Sequence, residues 1–156
     1  MQRLLVILFV VALGLPALAQ EEEKPKGIIE RARSWIGVRY RFGGSDEKKG
    51  FDCAGFVRRV FSTVGIQLPR TAATQYHLGC IVKEDELEPG DLVFFRNTYK
   101  RGVSHVGIYL GDRLFIHAPS RGKSVSIDSL DSAYFLHHFA GARRIAPVSD
   151  VQEPSL

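Results

Sequence analysis

Apolar residues change their spacing once along this chain, and that change limits its architecture more than any other feature. Before Pro89 and Gly90 they recur at helical intervals; after them they form short β-branched and aromatic runs. Ile28, Ile29, Ala32, Trp35 and Ile36 share one face of an expected helix from Gly27 to Ile36, stopped by Gly37. Phe56, Val57, Val60, Phe61 and Val64 do the same from Cys53 to Val64, with Arg58, Arg59, Ser62 and Thr63 opposite and Gly65 as the stop. A shorter helix is expected from Thr71 to Leu78, and the glycine-rich, charged residues 43–50 form a loop. Strands are expected at Asp91 to Phe95, His105 to Leu110, Leu114 to His117, Val125 to Ile127 and Phe139 to Ile145. Helices followed by strands, without alternation, predict an α+β domain whose N-terminal helices cover one side of an antiparallel sheet.

A chain of 156 residues holds one such domain. At its start, Arg3 precedes an apolar run from Leu4 to Leu15, then Pro16 and Ala17-Leu18-Ala19, the pattern of a secretory signal. Residues 1–19 are therefore expected to be removed. The run is shorter than the roughly 20 residues that span a bilayer, so no retained membrane anchor is expected. Residues 20–26, with three consecutive glutamates, read as a charged linker, 27–147 as the domain and 148–156 as a flexible tail. The formal net charge of +4 is scattered rather than gathered in a stripe, which disfavours nucleic acid but suits an anionic cell-surface polymer. Export would make a Cys53–Cys80 disulfide the default. The surroundings of Cys53 carry more information than a staple needs, and Cys80 reads as a small buried residue.

Asp52 stands where an N-cap belongs, which puts Cys53 in the first turn of its helix. The partial positive charge there favours a thiolate, as does a nearby imidazolium. Taken alone, such a Cys serves equally as nucleophile or packing residue. Of the five histidines, His105 opens one expected strand and His117 closes the next, so a base and its orienting partner are both available. Register decides whether they meet. A two-residue turn at Gly111-Asp112 would set Val106 opposite His117 and send the two rings to opposite faces. A three-residue connection from Gly111 to Arg113 sets Gly107 there instead and makes the histidines diagonal neighbours on one face. An odd-length connection or a bulge is therefore predicted. His77, His137 and His138 read as structural. A zinc site built from Cys53, His105 and His117 lacks the short-spaced ligand pairs that usually seed one, so neither metal nor cofactor is expected.

Seven segments, in order, resemble the NlpC/P60 cell-wall hydrolases. They are Tyr-Arg-Phe-Gly-Gly at 40–44, Phe-Asp-Cys-Ala-Gly-Phe-Val at 51–57, Leu-Pro-Arg-Thr at 68–71, Gln75, Pro-Gly-Asp-Leu-Val-Phe-Phe at 89–95, Ser-His-Val-Gly-Ile-Tyr-Leu-Gly at 104–111 and Phe-Ile-His-Ala-Pro at 115–119. The resemblance implies a papain-like fold with Cys53 as nucleophile, His105 as general base and His117 as the polar residue that orients it. It implies that Tyr40 points its hydroxyl towards Cys53, to bind substrate or the developing oxyanion, or packs beneath the Gly43-Gly44 loop. It implies a peptidoglycan stem peptide as substrate, cut at γ-D-glutamyl or diaminopimelate bonds through a thioester, by an exported monomer acting at the wall in the periplasm or outside the cell. The chain departs from the family in having Ala54 where Ser commonly follows the Cys. That weakens any hold on a free peptide ammonium, and Asp52 is left either as substrate contact or as helix cap. An inactive wall-binding or regulatory module of the same fold, and an acyltransferase, are the competing functions.

Overall fold

The computed structural model describes residues 23–146. The expected signal segment and flexible tail lie outside the described residues. Helix α1 (Glu23–Ser34) is followed by the two-residue strands β1 (Ser45–Asp46) and β2 (Gly50–Phe51), then α2 (Cys53–Ser62) and α3 (Ala72–Gln75). Next come β3 (Cys80–Val82), β4 (Leu92–Arg96), β5 (Val103–Gly111), β6 (Leu114–His117) and β7 (Ser126–Ser129), and α4 (Ala133–His138) precedes β8 (Phe139–Arg144). Strands β3 to β8 form one antiparallel sheet in the order β3-β8-β4-β5-β6-β7. The α+β arrangement read from the sequence is the one observed.

Both faces of the sheet's centre are covered, which explains the unbroken apolar run of β4. Leu92 and Phe94 point into a core with Trp35, Phe51, Phe56 and Phe61 from the helical side. Val93 and Phe95 point the other way, onto Phe115, Leu130, Phe135 and Phe139. Phe56, Val57 and Val60 of α2 are fully buried, each contributing about 1.5–3 kcal/mol. That burial anchors the helix that carries Cys53.

The start of α2 is fixed by backbone contacts that only glycine permits. The Asp52 N–H donates to the Gly44 carbonyl at 3.0 Å, and a Cβ on Gly55 would stand 2.0 Å from that same oxygen. The 43–44 loop therefore rests directly on the first turn of the helix, beside Cys53.

Several boundaries differ from those expected. Helix α1 begins at Glu23 instead of Gly27, so its first turn uses part of the stretch read as linker, and it ends at Ser34. Trp35 and Ile36 then close a turn by bonding back to Ala32 and Arg33, and Gly37, at φ 89°, turns the chain towards Val125. Helix α3 stops at Gln75, short of Leu78. The pair β1–β2, strand β3 and helix α4 were not anticipated. Cys80 is a correction: it lies exposed on the edge strand β3, not buried, because β3 pairs only with β8. Both cysteines are free.

Candidate active site

Cys53 is the first residue of α2 and only 5% exposed. Its thiol donates to the carbonyl of Ser104, 3.8 Å away, which places the sulfur against the backbone just before His105. Burial, and secondarily the charge of Asp52, push the thiol up to about 11. The N–H groups of Val106, Ala54 and Cys53 itself pull the other way. The helix start thus acts in the expected direction, but desolvation wins, and at neutral pH the resting group is a thiol.

The histidine pair depends on the β5–β6 hairpin. Its turn consists of Asp112 and Arg113, with φ 52° and 63°, the left-handed pair that a two-residue type I′ connection demands. Arg113 holds this turn by ion pairs to Glu84 and Asp131, each at 2.8 Å. The ladder pairs Gly111 with Leu114 and then, after a bulge at Leu110, Tyr109 with Phe115 and Ile108 with Ile116. Continuing that register sets Gly107 opposite His117, which is the predicted outcome, reached through a bulge. A Cβ on Gly107 would meet Phe115 Cδ2 at 2.6 Å and His117 Cβ at 3.2 Å, so its absence lets the strands close.

His105 Nε2 and His117 Nδ1 are 2.7 Å apart, and His117 Nε2 lies 2.8 Å from Asp128 Oδ2. With Nε2 engaged, Nδ1 is the remaining ring nitrogen of His105. Burial holds His105 well below its ordinary range, and the adjacent His117 adds to this. Burial also lowers His117, against the opposing pull of Asp128. The bond to His117 lowers Asp128. At neutral pH the chain is two neutral imidazoles ending on a carboxylate. Two nitrogens bound to a tetrahedral zinc at about 2.0 Å stand roughly 3.3 Å apart, whereas these lie at 2.7 Å as a hydrogen-bonded pair, so the pair is not disposed as zinc ligands.

Asp128 escaped the sequence reading because the strand was ended at Ile127. In the structure β7 runs to Ser129 and pairs Ser126 with His117 and Asp128 with Phe115, which makes Asp128 the diagonal neighbour of His117. The alternation in Ser-Ile-Asp-Ser was the signal that a longer strand would have revealed.

Asp52 has both carboxylate oxygens engaged within the protein. Oδ1 accepts from the Gly55 N–H at 2.7 Å and Oδ2 from the Gly43 N–H at 3.0 Å. Arg70, whose role was not anticipated, reaches Oδ2 at 2.6 Å and Oδ1 at 3.0 Å. The cap expected at this position is present, in a four-bond cradle. Gln75 is fully buried and donates through Nε2 to the carbonyls of Ala54 and Pro69, fixing the residue that follows Cys53.

A cleft of about 710 Å³ opens onto His105, His117 and Asp128, with Arg121 and Lys123 at its side. A second hollow of about 330 Å³ opens onto Cys53 and Asp52. Tyr40, Phe42 and Tyr99 wall both. Phe42 and Tyr99 are 62% and 59% exposed and meet edge to face at 6.4 Å, forming the rim. Burial, then the nearby Cys53 and Asp52, push the Tyr40 phenol up to about 12, so it stays protonated and its O–H remains a donor. The remaining histidines stand apart from both hollows. His77 is exposed beside Tyr76, and His138 bonds the Arg96 carbonyl at 2.8 Å.

A sequence-family model described as NlpC/P60 family matches residues 37–144. The chain is 46% identical over 118 residues to a gamma-DL-glutamyl hydrolase of Bacillus subtilis, covering 75% of this chain and 28% of that protein. It is 39% identical over 130 residues to the murein DD-endopeptidase MepH of Escherichia coli, covering 81% and 48%. It thus spans less than half the length of either relative. Among solved structures, an NlpC/P60 family protein from Bacillus cereus superposes with a TM-score of 0.74 at 35% identity, covering 79% of this chain and 40% of that one. The NlpC/P60 domain of the peptidoglycan hydrolase SagA gives 0.69 at 32% identity, covering 78% and 99%.

Proposed function

The chain belongs to the NlpC/P60 family, and from that membership we propose that it is a cysteine peptidase hydrolysing stem-peptide bonds of peptidoglycan. The observation that carries the proposal is the placing of the Cys53 thiol, at a helix start, against the Ser104 carbonyl next to His105, whose ring bonds His117. One relative is named a gamma-DL-glutamyl hydrolase and the other a murein DD-endopeptidase, and these names support the reading.

In the proposed reaction the Cys53 thiol gives its proton to His105 Nδ1 as sulfur attacks the peptide carbonyl carbon. The oxyanion that forms is met by the N–H of Cys53 at the helix start and by the Tyr40 hydroxyl. His105 returns the proton to the leaving amine, the C–N bond breaks, and a thioester remains on Cys53. Water, deprotonated by the same nitrogen, hydrolyses the thioester and restores the thiol. His117 holds the His105 ring through the 2.7 Å bond. Asp52, with its oxygens committed to Gly43, Gly55 and Arg70, serves this reading as the support of the Cys53 turn. The signal segment and the wall-directed relatives favour action outside the cytoplasm, in the periplasm or beyond the cell. The relatives' names divide between a γ-glutamyl bond and a cross-link, so both belong among the test substrates.

Mass spectrometry of purified peptidoglycan fragments after incubation with the protein, beside Cys53→Ala, tests the proposal. New peptides from the wild type alone support it, and their masses name the bond. Identical spectra across γ-glutamyl and cross-linked substrates overturn it in favour of a binding module.

A further inference from the structure

A relay of two neutral imidazoles has two ways to place its protons, and only one supplies a base. In the first, His117 carries hydrogen on Nε2 and donates to Asp128, while His105 carries hydrogen on Nε2 and donates to His117 Nδ1. His105 Nδ1 then presents a lone pair towards the thiol. In the second, His117 carries hydrogen on Nδ1 and donates to His105 Nε2, so the proton of His105 sits on Nδ1 and cannot be exchanged for that of Cys53. His117 Nε2 would then aim a lone pair at Asp128 Oδ2 across 2.8 Å. The two arrangements contain the same number of protons and differ only in direction.

We propose that Asp128 is a positioning residue that fixes the direction of the relay, holding His117 as its Nε2–H tautomer and thereby keeping His105 Nδ1 unprotonated for Cys53. The inference rests on the reading of Cys53 and His105 as nucleophile and base. Three observations carry it. The two hydrogen bonds, 2.7 and 2.8 Å, form an unbroken line from His105 to the carboxylate. His117 is 1% exposed, and Asp128 is the protein group that its Nε2 meets, at 2.8 Å. Asp128 sits on strand β7, in register beside β6, and its side chain borders the cleft. The charged groups facing this end of the relay are Asp128 itself and Lys123, and the bond to His117, assisted by Lys123, keeps the carboxylate ionised. The carboxylate accepts throughout. When the thiol proton reaches Nδ1, the resulting imidazolium charge is shared along His105 and His117, and Asp128 stabilises it without taking the proton.

The test uses Asp128→Asn, Asp128→Ala and Asp128→Glu in a Cys80→Ser background, so that Cys53 is the single thiol. Heteronuclear NMR of the imidazole nitrogens reads the His105 tautomer directly, and the rate of Cys53 alkylation by iodoacetamide reads base strength. Neither needs a peptidoglycan substrate, so the outcome is separate from whether the substrate proposal stands. The Asn amide can turn its NH₂ to donate to His117 Nε2, which favours the wrong direction. Expected for Asn and Ala is loss of the His105 Nε2–H signal or its mixture with Nδ1–H. Alkylation at neutral pH should fall roughly ten- to hundredfold, with Glu restoring most of both. With a cleaved peptide, kcat should fall by the same factor and KM should hold. An unchanged tautomer in Asn and Ala overturns the proposal, whether or not the rate falls, because a rate loss alone would then report a structural disturbance.

Discussion

Arg70 grips both oxygens of the carboxylate that caps the Cys53 helix, with Nη2 2.6 Å from Asp52 Oδ2 and Nη1 3.0 Å from Oδ1. A planar guanidinium matched to a planar carboxylate sets the angle of the side chain as well as its distance. The same carboxylate receives Gly43 and Gly55, so one residue ties the glycine loop, the helix start and the Pro69-Arg70 segment together.

Removing that charge should act on stability and on the thiol in opposite senses. Asp52→Asn loses the charge paired with Arg70, costing about 1.5–3 kcal/mol, read as a lower midpoint in urea. It also removes the negative charge that raises Cys53, so the thiol should titrate at lower pH than its wild-type value of about 11. The pH dependence of iodoacetamide labelling measures the second effect. A thiol that titrates higher in Asp52→Asn would contradict the electrostatic account.

Stability should fall on acidification through the histidine range. His105 and His117 bind protons less readily folded than at their ordinary value of 6.5, so below that pH the unfolded chain takes up more protons than the native one. Their contribution is complete above about pH 6.5 and is progressively lost below it. Urea midpoints measured from pH 7.5 to about pH 5 should decline, and the decline should be shallower in a His105→Gln variant. For the same reason the acid limb of kcat/KM lies below 6.5.

Gly107→Ala should damage the site through packing alone. The added methyl meets Phe115 Cδ2 at 2.6 Å, the Ile116 carbonyl at 3.0 Å and His117 Cβ at 3.2 Å. Overpacking of this kind costs about 1–3 kcal/mol. Because the strain falls on the strand that holds His117, kcat should drop more than stability alone explains. A variant with wild-type kcat at a temperature where it is fully folded would show that the histidine spacing tolerates more than this geometry allows.

The two thiols should separate cleanly by reagent. Cys80 is exposed on an edge strand, whereas Cys53 is buried. Bulky maleimides should label Cys80 first at neutral pH, and Cys80→Ser should leave peptide cleavage unchanged. Intact-mass spectrometry with peptide mapping distinguishes the sites.

Much of the site was legible in the sequence because its parts obey short-range rules. Asp52 followed by Cys53 and an amphipathic run specifies a capped helix, and the two-residue period of a strand turns the His105–His117 question into counting. What escaped was set by partners distant in sequence. Cys80 looked buried because its neighbours are apolar, and only the position of β3 at the sheet edge exposes it. Asp128 required the pairing of β7 with β6, and Arg70 required the fold that brings it to Asp52. Helix α4 was not expected because its six residues, Ala133–His138, lie between two expected strands and hold no complete apolar repeat.

The Leu110 bulge makes the meeting of His105 and His117 on one face of the sheet a matter of parity. If the β5–β6 ladder were ironed flat with Leu110 kept in step, Leu110 would face Phe115, Ile108 would face His117, and the second imidazole would emerge on the far side of the sheet from His105. Deleting Leu110 outright would leave the remaining partners as they are, since it is the unmatched member of the count. This hairpin can therefore be shortened by one residue at that point without separating the histidines, but it cannot be straightened. An odd number stored in one backbone irregularity decides whether the two imidazoles meet.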